Sequence, residues 1–533
     1  MITKSTLQFA FFFFSLSLIL LVVAGCSDKE ATSGVANKTF EARPMLISGS
    51  NSIEAADEQQ YNTETYDEII ENDFQNALAN PKSTFSIDVD TASYSNVRRF
   101  INDGKRPPEG AVRIEEMINY FDYQYDEPES ERPFSVHLDL SKCPWNDKHQ
   151  LARIALKGKT FPRSKQPICN LVFLLDVSGS MGDANKLPLL KQAMKLLVKN
   201  LQDRDRIAIV TYAGSSGTLL DSTLVNNSAK IVNAIDSMTT GGRTNGGQGI
   251  QNAYQIAAKN FVEGEVNRVI LCTDGDFNVG VTDQSSLVDM IQQNAKTGIE
   301  LSVFGFGTGN YKDSTMEKLA DRGNGNYGYI DSLLEAKKAL SDQLSGTLVT
   351  IAKDVKIQVD FNPARVQSYR LIGYENRMLE NEDFVDDTKD AGEIGAGHRV
   401  TALYELVPAG SENPVSSTDS ESEFVSTTIK PSAEKSDVVL KVNLRYKLPS
   451  ESVSEGFDVE LVQTKDEALE LPSGDFRFAS AVAAYGMLLR DSKFKGQADW
   501  QFVLDAAKSS LGEDQHGYRA EFVNLVRQSS LLR

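Results

Sequence analysis

Leu171-Val172-Phe173-Leu174-Leu175-Asp176-Val177-Ser178-Gly179-Ser180 is the stretch on which the fold turns. Five apolar residues in a row show no alternation, so the strand they form is covered on both faces. The run passes without a break into a carboxylate and two hydroxyls. Strands of this kind belong to parallel sheets with helices on both sides, where ligands bind beyond the carboxyl ends of the strands. Asp176, Ser178 and Ser180 stand at that rim. They offer three hard oxygens within one turn, a donor set suited to Mg²⁺ or another hard cation.

Reading outward, the alternation continues. A helical run over 189–201 is followed by a strand at Ile207-Ala208-Ile209-Val210 and helices near 229–238 and 249–261. A second buried strand, Val269-Ile270-Leu271-Cys272, precedes a helix over 286–295 and a strand at Leu301-Ser302-Val303-Phe304. This predicts an α/β domain over 169–346 with a doubly wound, mainly parallel sheet. The second buried strand runs into Thr273-Asp274-Gly275-Asp276, which adds a carboxylate at the same rim. Between the two strands lies Thr240-Gly241-Gly242-Arg243-Thr244-Asn245-Gly246-Gly247, whose glycines permit close approach and whose Thr244 adds a hydroxyl.

Asp176, Ser178 and Ser180 in an Asp-x-Ser-x-Ser pattern, then Thr244, then Asp274, resemble the metal-ion-dependent adhesion site of von Willebrand factor type A (VWA) domains. All five positions occur in the family's order and on matching elements. The resemblance implies a VWA, Rossmann-like fold. It implies that Ser178, Ser180 and Thr244 bind Mg²⁺ (or Mn²⁺ or Ca²⁺) directly, while Asp176 and Asp274 act through water or as acceptors. It also implies an open coordination position for a carboxylate from a protein partner. Mostly neutral ligands leave a cation under-neutralised, and that draws an acid. Arg243 then contacts an acidic partner or points to solvent. The alternative is a domain that keeps the five residues as hydrogen-bonding caps without metal.

Residues 84–168 form an upstream flank. It has a strand over 84–90, Asp90 or Thr91 as cap of a helix carrying Tyr94, Val97, Phe100 and Ile101, and a break at Pro107-Pro108. Ile114, Met117, Ile118 and Phe121 then fall at helical spacing, and strands follow over 134–140 and 151–156. Residues 347–470 read as a β-rich downstream flank, with strands over 355–361, 368–373, 400–406, 438–446 and 457–462. Its loop 410–436 is disordered by composition. Residues 471–533 are helical. Residues 26–83 are a polar, acidic tether with a short helix near 68–78. The stretches 85–94, 105–108 and 113–121 upstream, and 390–398 and 444–449 downstream, resemble the flanks of a bacterial lipoprotein family built around a VWA domain. That likeness implies that strands from both flanks pair into one β-sandwich, from which the core projects as an insertion.

The N-terminus reads as an address. Lys4 precedes an apolar run over 7–23 that ends in Val23-Ala24-Gly25-Cys26, the pattern of a secretory signal over 1–25. The last four residues resemble a lipoprotein lipobox, which implies cleavage after Gly25 and lipidation of Cys26. Ser27 rather than Asp after the cysteine points to the outer membrane of a bacterial envelope.

Composition bounds the function. Hydrophobic residues make up 41% and charged residues 24%, an ordinary globular mix that argues against global disorder. The net charge of −19 repels phosphate backbones, so nucleic acid is not an expected partner. One apolar run, at the N-terminus, is a poor fit to a polytopic transporter. His137, His149, His398 and His516 lie far apart, and no Cys-x-x-Cys occurs, so zinc has no support. Cys143, Cys169 and Cys272 are odd in number. Cys272 reads as a buried small hydrophobe, and a Cys143–Cys169 bridge is compatible with an oxidising periplasm. Ser178 sits in no Gly-x-Ser-x-Gly elbow, and no general base is evident beside the metal residues, so no catalytic residue is assigned and a non-enzymatic protein is expected. His398 reads as structural. Two functions remain: a lipid-anchored binding or adhesion protein working through its metal, and a metal-independent envelope scaffold.

Overall fold

A computed structural model describes residues 64–213, 217–241, 246–275, 284–309, 311–411, 427–464, 468–472 and 474–532. Cys26, Arg243, Thr244 and most of the loop expected over 410–436 lie outside the described residues. The upstream flank contributes β1 (Gln75–Asn76), β2 (Lys82–Ser86), β3 (Phe134–Lys142) and β4 (Gln150–Gly158), with helices α1 (Ala92–Asn102) and α2 (Ile114–Asn119). The helix expected near 68–78 does not form. The chain there is extended into β1, and Asn76 Oδ1 accepts from the Leu78 and Ala79 amides at 2.9 and 3.2 Å, which favours a turn over a helix. The cap expected at α1 is also different. Thr91 occupies the cap position without a side-chain bond. The Asp90 carboxylate instead accepts from the Tyr327 amide at 2.8 Å and pairs with Arg377 at 3.2 Å, tying the flank to the core.

The core comes next as β5 (Cys169–Asp176), α3 (Leu187–Asn200), β6 (Arg206–Tyr212), β7 (Gly217–Leu224), α4 (Ser228–Ser237), α5 (Gly246–Lys259), β8 (Val266–Thr273), α6 (Gln284–Lys296), β9 (Glu300–Phe306), α7 (Asp313–Arg322), β10 (Tyr327–Ile330), α8 (Leu333–Lys337) and α9 (Leu344–Leu348). Its sheet runs β10-β9-β8-β5-β6-β7, parallel except for the antiparallel edge strand β7. β5 is buried at every position. Leu171, Phe173 and Leu175 face α3 and α4, and Val172 and Leu174 share a second core with α5, α6 and α7. The uninterrupted apolar run is thus explained by two covered faces.

The downstream flank adds β11 (Thr350–Phe361), β12 (Val366–Ile372), β13 (Met378–Leu379), β14 (Gly392–Gly395), β15 (Arg399–Pro408), α10 (Pro431–Glu434), β16 (Val438–Lys447) and β17 (Glu455–Val462). One sheet runs β1-β12-β15-β4-β3 and the other β13-β2-β11-β16-β17, with β14 also paired to β11. Both therefore mix strands from the two sides of the core. Phe85, Ile154, Leu156, Ile357, Tyr404 and Val442 belong to the apolar core they share. The end of the loop expected to be disordered is ordered: α10 is held by Asn362 Nδ2, which donates to the Ala433 carbonyl at 3.0 Å.

The core is an insertion in this sandwich, and Gln166 Nε2 meets Ser345 Oγ at 2.6 Å where the chain passes in and out. It does not stand clear of the flanks, as the resemblance implies. Arg98 of α1 bonds Asp331 and Glu335 of the core at 2.6 and 2.7 Å, and Arg113 pairs with Asp313; all but the half-buried Asp331 are buried. A buried charge network of this kind holds two bodies in one geometry, because losing any partner leaves the others unpaired.

The chain closes with α11 (Gly474–Leu489), α12 (Trp500–Lys508) and α13 (Tyr518–Ser529). These helices pack against α1 and α2 through Phe121, Phe478 and Phe522, whose ring centroids lie 4.9 to 5.5 Å apart. Each such buried ring contributes about 1.5–3 kcal/mol of burial. The compatible Cys143–Cys169 bridge does not form: both are buried free thiols, like Cys272. His398 accepts from the Gly395 amide at 3.3 Å, and burial holds its imidazole down at about 4, so it is neutral and structural. Among the described residues no helix is long and apolar enough to cross a membrane.

Candidate metal centre at the strand rim

In the strand order, β5 connects to β6 on one side and is joined by β8 on the other. Connections leave in opposite directions there and open a crevice at the carboxyl ends of β5 and β8. Asp176 is the last residue of β5. Thr273 is the last of β8, and Asp274 comes directly after it. The sheet therefore brings two carboxylates from positions 98 apart in sequence to one place.

Their surroundings differ. Asp176 Oδ1 accepts from the Ser178 amide at 2.8 Å, which fixes the turn. Its Oδ2 accepts from Tyr212 at 3.2 Å and Thr273 at 3.3 Å. Burial nevertheless pushes its carboxyl up to about 6, with the Asp274 charge adding to the rise and the Ser178 and Tyr212 bonds opposing it. Ser178 Oγ and Ser180 Oγ lie 2.8 Å apart. Ser178 is buried and Ser180 is exposed, so the pair opens outward. The Val177 carbonyl accepts from the Gly241 amide at 2.8 Å and pins the start of the Gly-rich loop beside the strand end.

Asp274 is fully buried. Its Oδ2 pairs with Lys186 Nζ at 3.0 Å, and its Oδ1 is enclosed without a hydrogen-bond partner. An orphaned carboxylate oxygen beside a second carboxylate and two hydroxyls fits a hard cation. Three contributors were missed by reading the sequence: Lys186, Tyr212 and Thr273. Thr273 stands directly before Asp274, and Tyr212 ends its strand in register with Asp176. Those two positions were open to inference. Lys186 was not, since only the folded turn over 179–186 carries it back to the rim.

Comparison with known proteins agrees with this architecture. The family model described as "von Willebrand factor type A domain" matches residues 170–343, and one described as "von Willebrand factor" matches residues 60–153. A third, "Uncharacterized protein YfbK, C-terminal", matches residues 346–532. "Uncharacterized protein YfbK" of Escherichia coli (strain K12) is 42% identical over 471 residues, 87% of this chain and 80% of its own. The chain belongs to this family of VWA proteins. Its VWA domain is the insertion described above, and the C-terminal match covers the strands and helices downstream of it. Human "Inter-alpha-trypsin inhibitor heavy chain H4" is 30% identical over 160 residues, 28% of this chain and 17% of its own. The solved structure "von Willebrand factor type A from Catenulispora acidiphila" aligns with a TM-score of 0.41 at 14% identity, over 74% of this chain and 91% of that one. VWA domains commonly mediate protein interaction and commonly hold a divalent metal.

Proposed function

We propose that the chain is a lipid-anchored bacterial envelope protein whose VWA rim binds a divalent cation and, through it, an acidic group on a protein partner. The observation that carries this reading is Asp274 Oδ1, enclosed and unpartnered beside Asp176. Two buried carboxylates face one ammonium, which leaves negative charge that a cation would offset. Ser178, Ser180 and Thr244 would hold the ion directly, with Asp176 and Asp274 acting through water or as acceptors, and Asp176 also orients the turn through the Ser178 amide. When bound, the ion supplies an under-neutralised positive charge to a partner carboxylate. The Ser178 hydroxyl pairs with Ser180 rather than with a general base, which supports a binding role over an enzymatic one. Arg243 beside Thr244 is a candidate contact for the acidic partner. The lipobox-like residues up to Cys26 support anchoring, and Ser27 supports the outer membrane.

One observation favours a second reading. Lys186 already pairs with Asp274, so half of that carboxylate is satisfied without metal, as a metal-independent scaffold requires. Thermal unfolding of the full chain in mild detergent, with Mg²⁺ and with chelator, separates the two. Cation at about 100 times its Kd adds roughly 2.7 kcal/mol to the state that binds it. A gain in wild type that Asp176→Ala lacks supports the metal reading. No gain in either sinks it and leaves the scaffold.

A further inference from the structure

We propose a second divalent-cation site, built from Asp354, Asp390 and Glu393 at the junction of the VWA domain and the downstream flank, and suited to Ca²⁺. It lies outside the VWA rim and does not rest on the reading of that rim.

The site arises from an irregularity in strand pairing. β11 and β14 pair with register shifts between Thr350 and Ala352 and again between Ala352 and Val355. Asp354 lies in the second shift with left-handed backbone, φ 51°. A bulge bends a strand and re-aims its side chains. Here it brings Asp354 to Asp390, just before β14, and to Glu393 on it. One carboxylate oxygen from each of the three lies within 4.8 Å of the other two. Ligands on one Ca²⁺, at 2.3–2.6 Å each, are separated by no more than about 5 Å, so three oxygens within 4.8 Å of one another fit around one such ion.

The charge balance points the same way. Lys447 Nζ contacts Asp354 Oδ2 at 2.6 Å, and the Ala391 amide donates to Asp354 Oδ1 at 3.2 Å. Arg322 approaches Asp390 only to 3.8 Å, and both side chains are about half exposed. Glu393 makes no ion pair among the described residues, and its Oε1 is enclosed without a hydrogen-bond partner. Carboxylates this close repel one another, and a cation held among them would relieve that repulsion. Asp390 and Glu393 also line a cavity of about 250 Å³, together with Lys318, Asp321, Arg322 and Arg377. That leaves room for the waters that complete a calcium shell.

The test is calcium titration calorimetry on the full chain in mild detergent, stripped with EGTA and dialysed. It is run on wild type, on Asp176→Ala to silence the rim, and on Asp176→Ala/Glu393→Gln. Asp176→Ala should keep one saturable Ca²⁺ equivalent, and the double variant should bind at least tenfold more weakly. Melting in EGTA checks folding: with one like charge removed, the double variant should unfold no lower than Asp176→Ala. If it unfolds lower, Asp390→Asn takes the place of Glu393→Gln. An Asp176→Ala chain that binds no Ca²⁺, or a double variant that binds as tightly as its parent, overturns the proposal and leaves a shared proton in the triad. The two sites fail separately. If wild type binds no more Ca²⁺ than Asp176→Ala while the double variant loses it, the triad holds and the rim does not bind calcium.

Discussion

Lys186→Met should destabilise the metal-free protein strongly and make it unusually dependent on divalent cation. The Lys186 side chain is about 5% exposed, that of Asp274 about 1%, and their charged atoms are 3.0 Å apart. At an effective dielectric of about 20, that contact is worth roughly 5–6 kcal/mol of attraction, part of it offset by the desolvation of both groups. Removing only the lysine leaves Asp274 buried with neither oxygen paired to a cation, a loss of about 3–5 kcal/mol. For a domain the size of the VWA insertion this lowers Tm by roughly 6–20 °C. The lysine stem lies against Gly307, where an added Cβ would meet its Cε at 2.2 Å, so methionine keeps the packing and loses the charge. Calorimetry in chelator measures the loss, and the same scan with excess Mg²⁺ should recover a larger share in the variant than in wild type. Asp274→Asn/Lys186→Met closes the cycle and should recover about 2–3 kcal/mol relative to Lys186→Met alone. A variant that melts within about 1 kcal/mol of wild type in chelator, or a double variant no better than the single, would show that Lys186 does not balance the Asp274 charge.

Two other outcomes are open to direct measurement. Glu115 is buried, and burial, reinforced by the Glu375 charge and opposed by Arg490, pushes its carboxyl from 4.5 up to about 7. The fold thus favours the neutral form: its contribution is fully present below about pH 4.5 and is lost as pH rises through 7, at most about 3 kcal/mol. Glu115→Gln should match wild type in urea unfolding near pH 4.5 and exceed it at pH 8, and equal curves at pH 8 would contradict this. Burial also raises the thiols of Cys143, Cys169 and Cys272 far above their ordinary range. A thiol reagent should therefore label none of the three in the native chain and all three in denaturant, while a native disulfide would withhold two of them even then.

The centre of the fold was legible because burial on two faces writes itself as an uninterrupted apolar run, and because a parallel sheet gathers the residues after its strands at one rim. Asp176 comes directly after such a run, and Asp274 is one threonine beyond another. β7 was not legible: it is a half-exposed edge strand, and its mixed residues show neither a clean alternation nor an apolar block. β10 is four residues long, with glycine second, and offers too little pattern to read. The insertion's docking was hidden for another reason. Arg98 finds its partners more than 230 residues away, and no local periodicity records such a contact. The same holds for Lys186 at the rim and for the triad at the β11 bulge, where an irregularity of pairing, not a motif, makes the neighbourhood.

The chain passes in and out of the VWA domain at the amino end of its sheet, where Gln166 meets Ser345 and Arg268 reaches the Leu348 carbonyl at 3.4 Å. The rim lies at the opposite end. A tug on anything held there would pull β5 along its own length. Its hydrogen bonds to β6 and β8 would then share the load in shear, whereas a hairpin pulled from one end gives way bond by bond. Tension would leave the domain through two adjacent covalent links and the Arg98 clamp, and spread into a sandwich woven from both halves of the chain. The direction of a pull on the rim would thus decide whether β5 is loaded along its length or stripped from its neighbours.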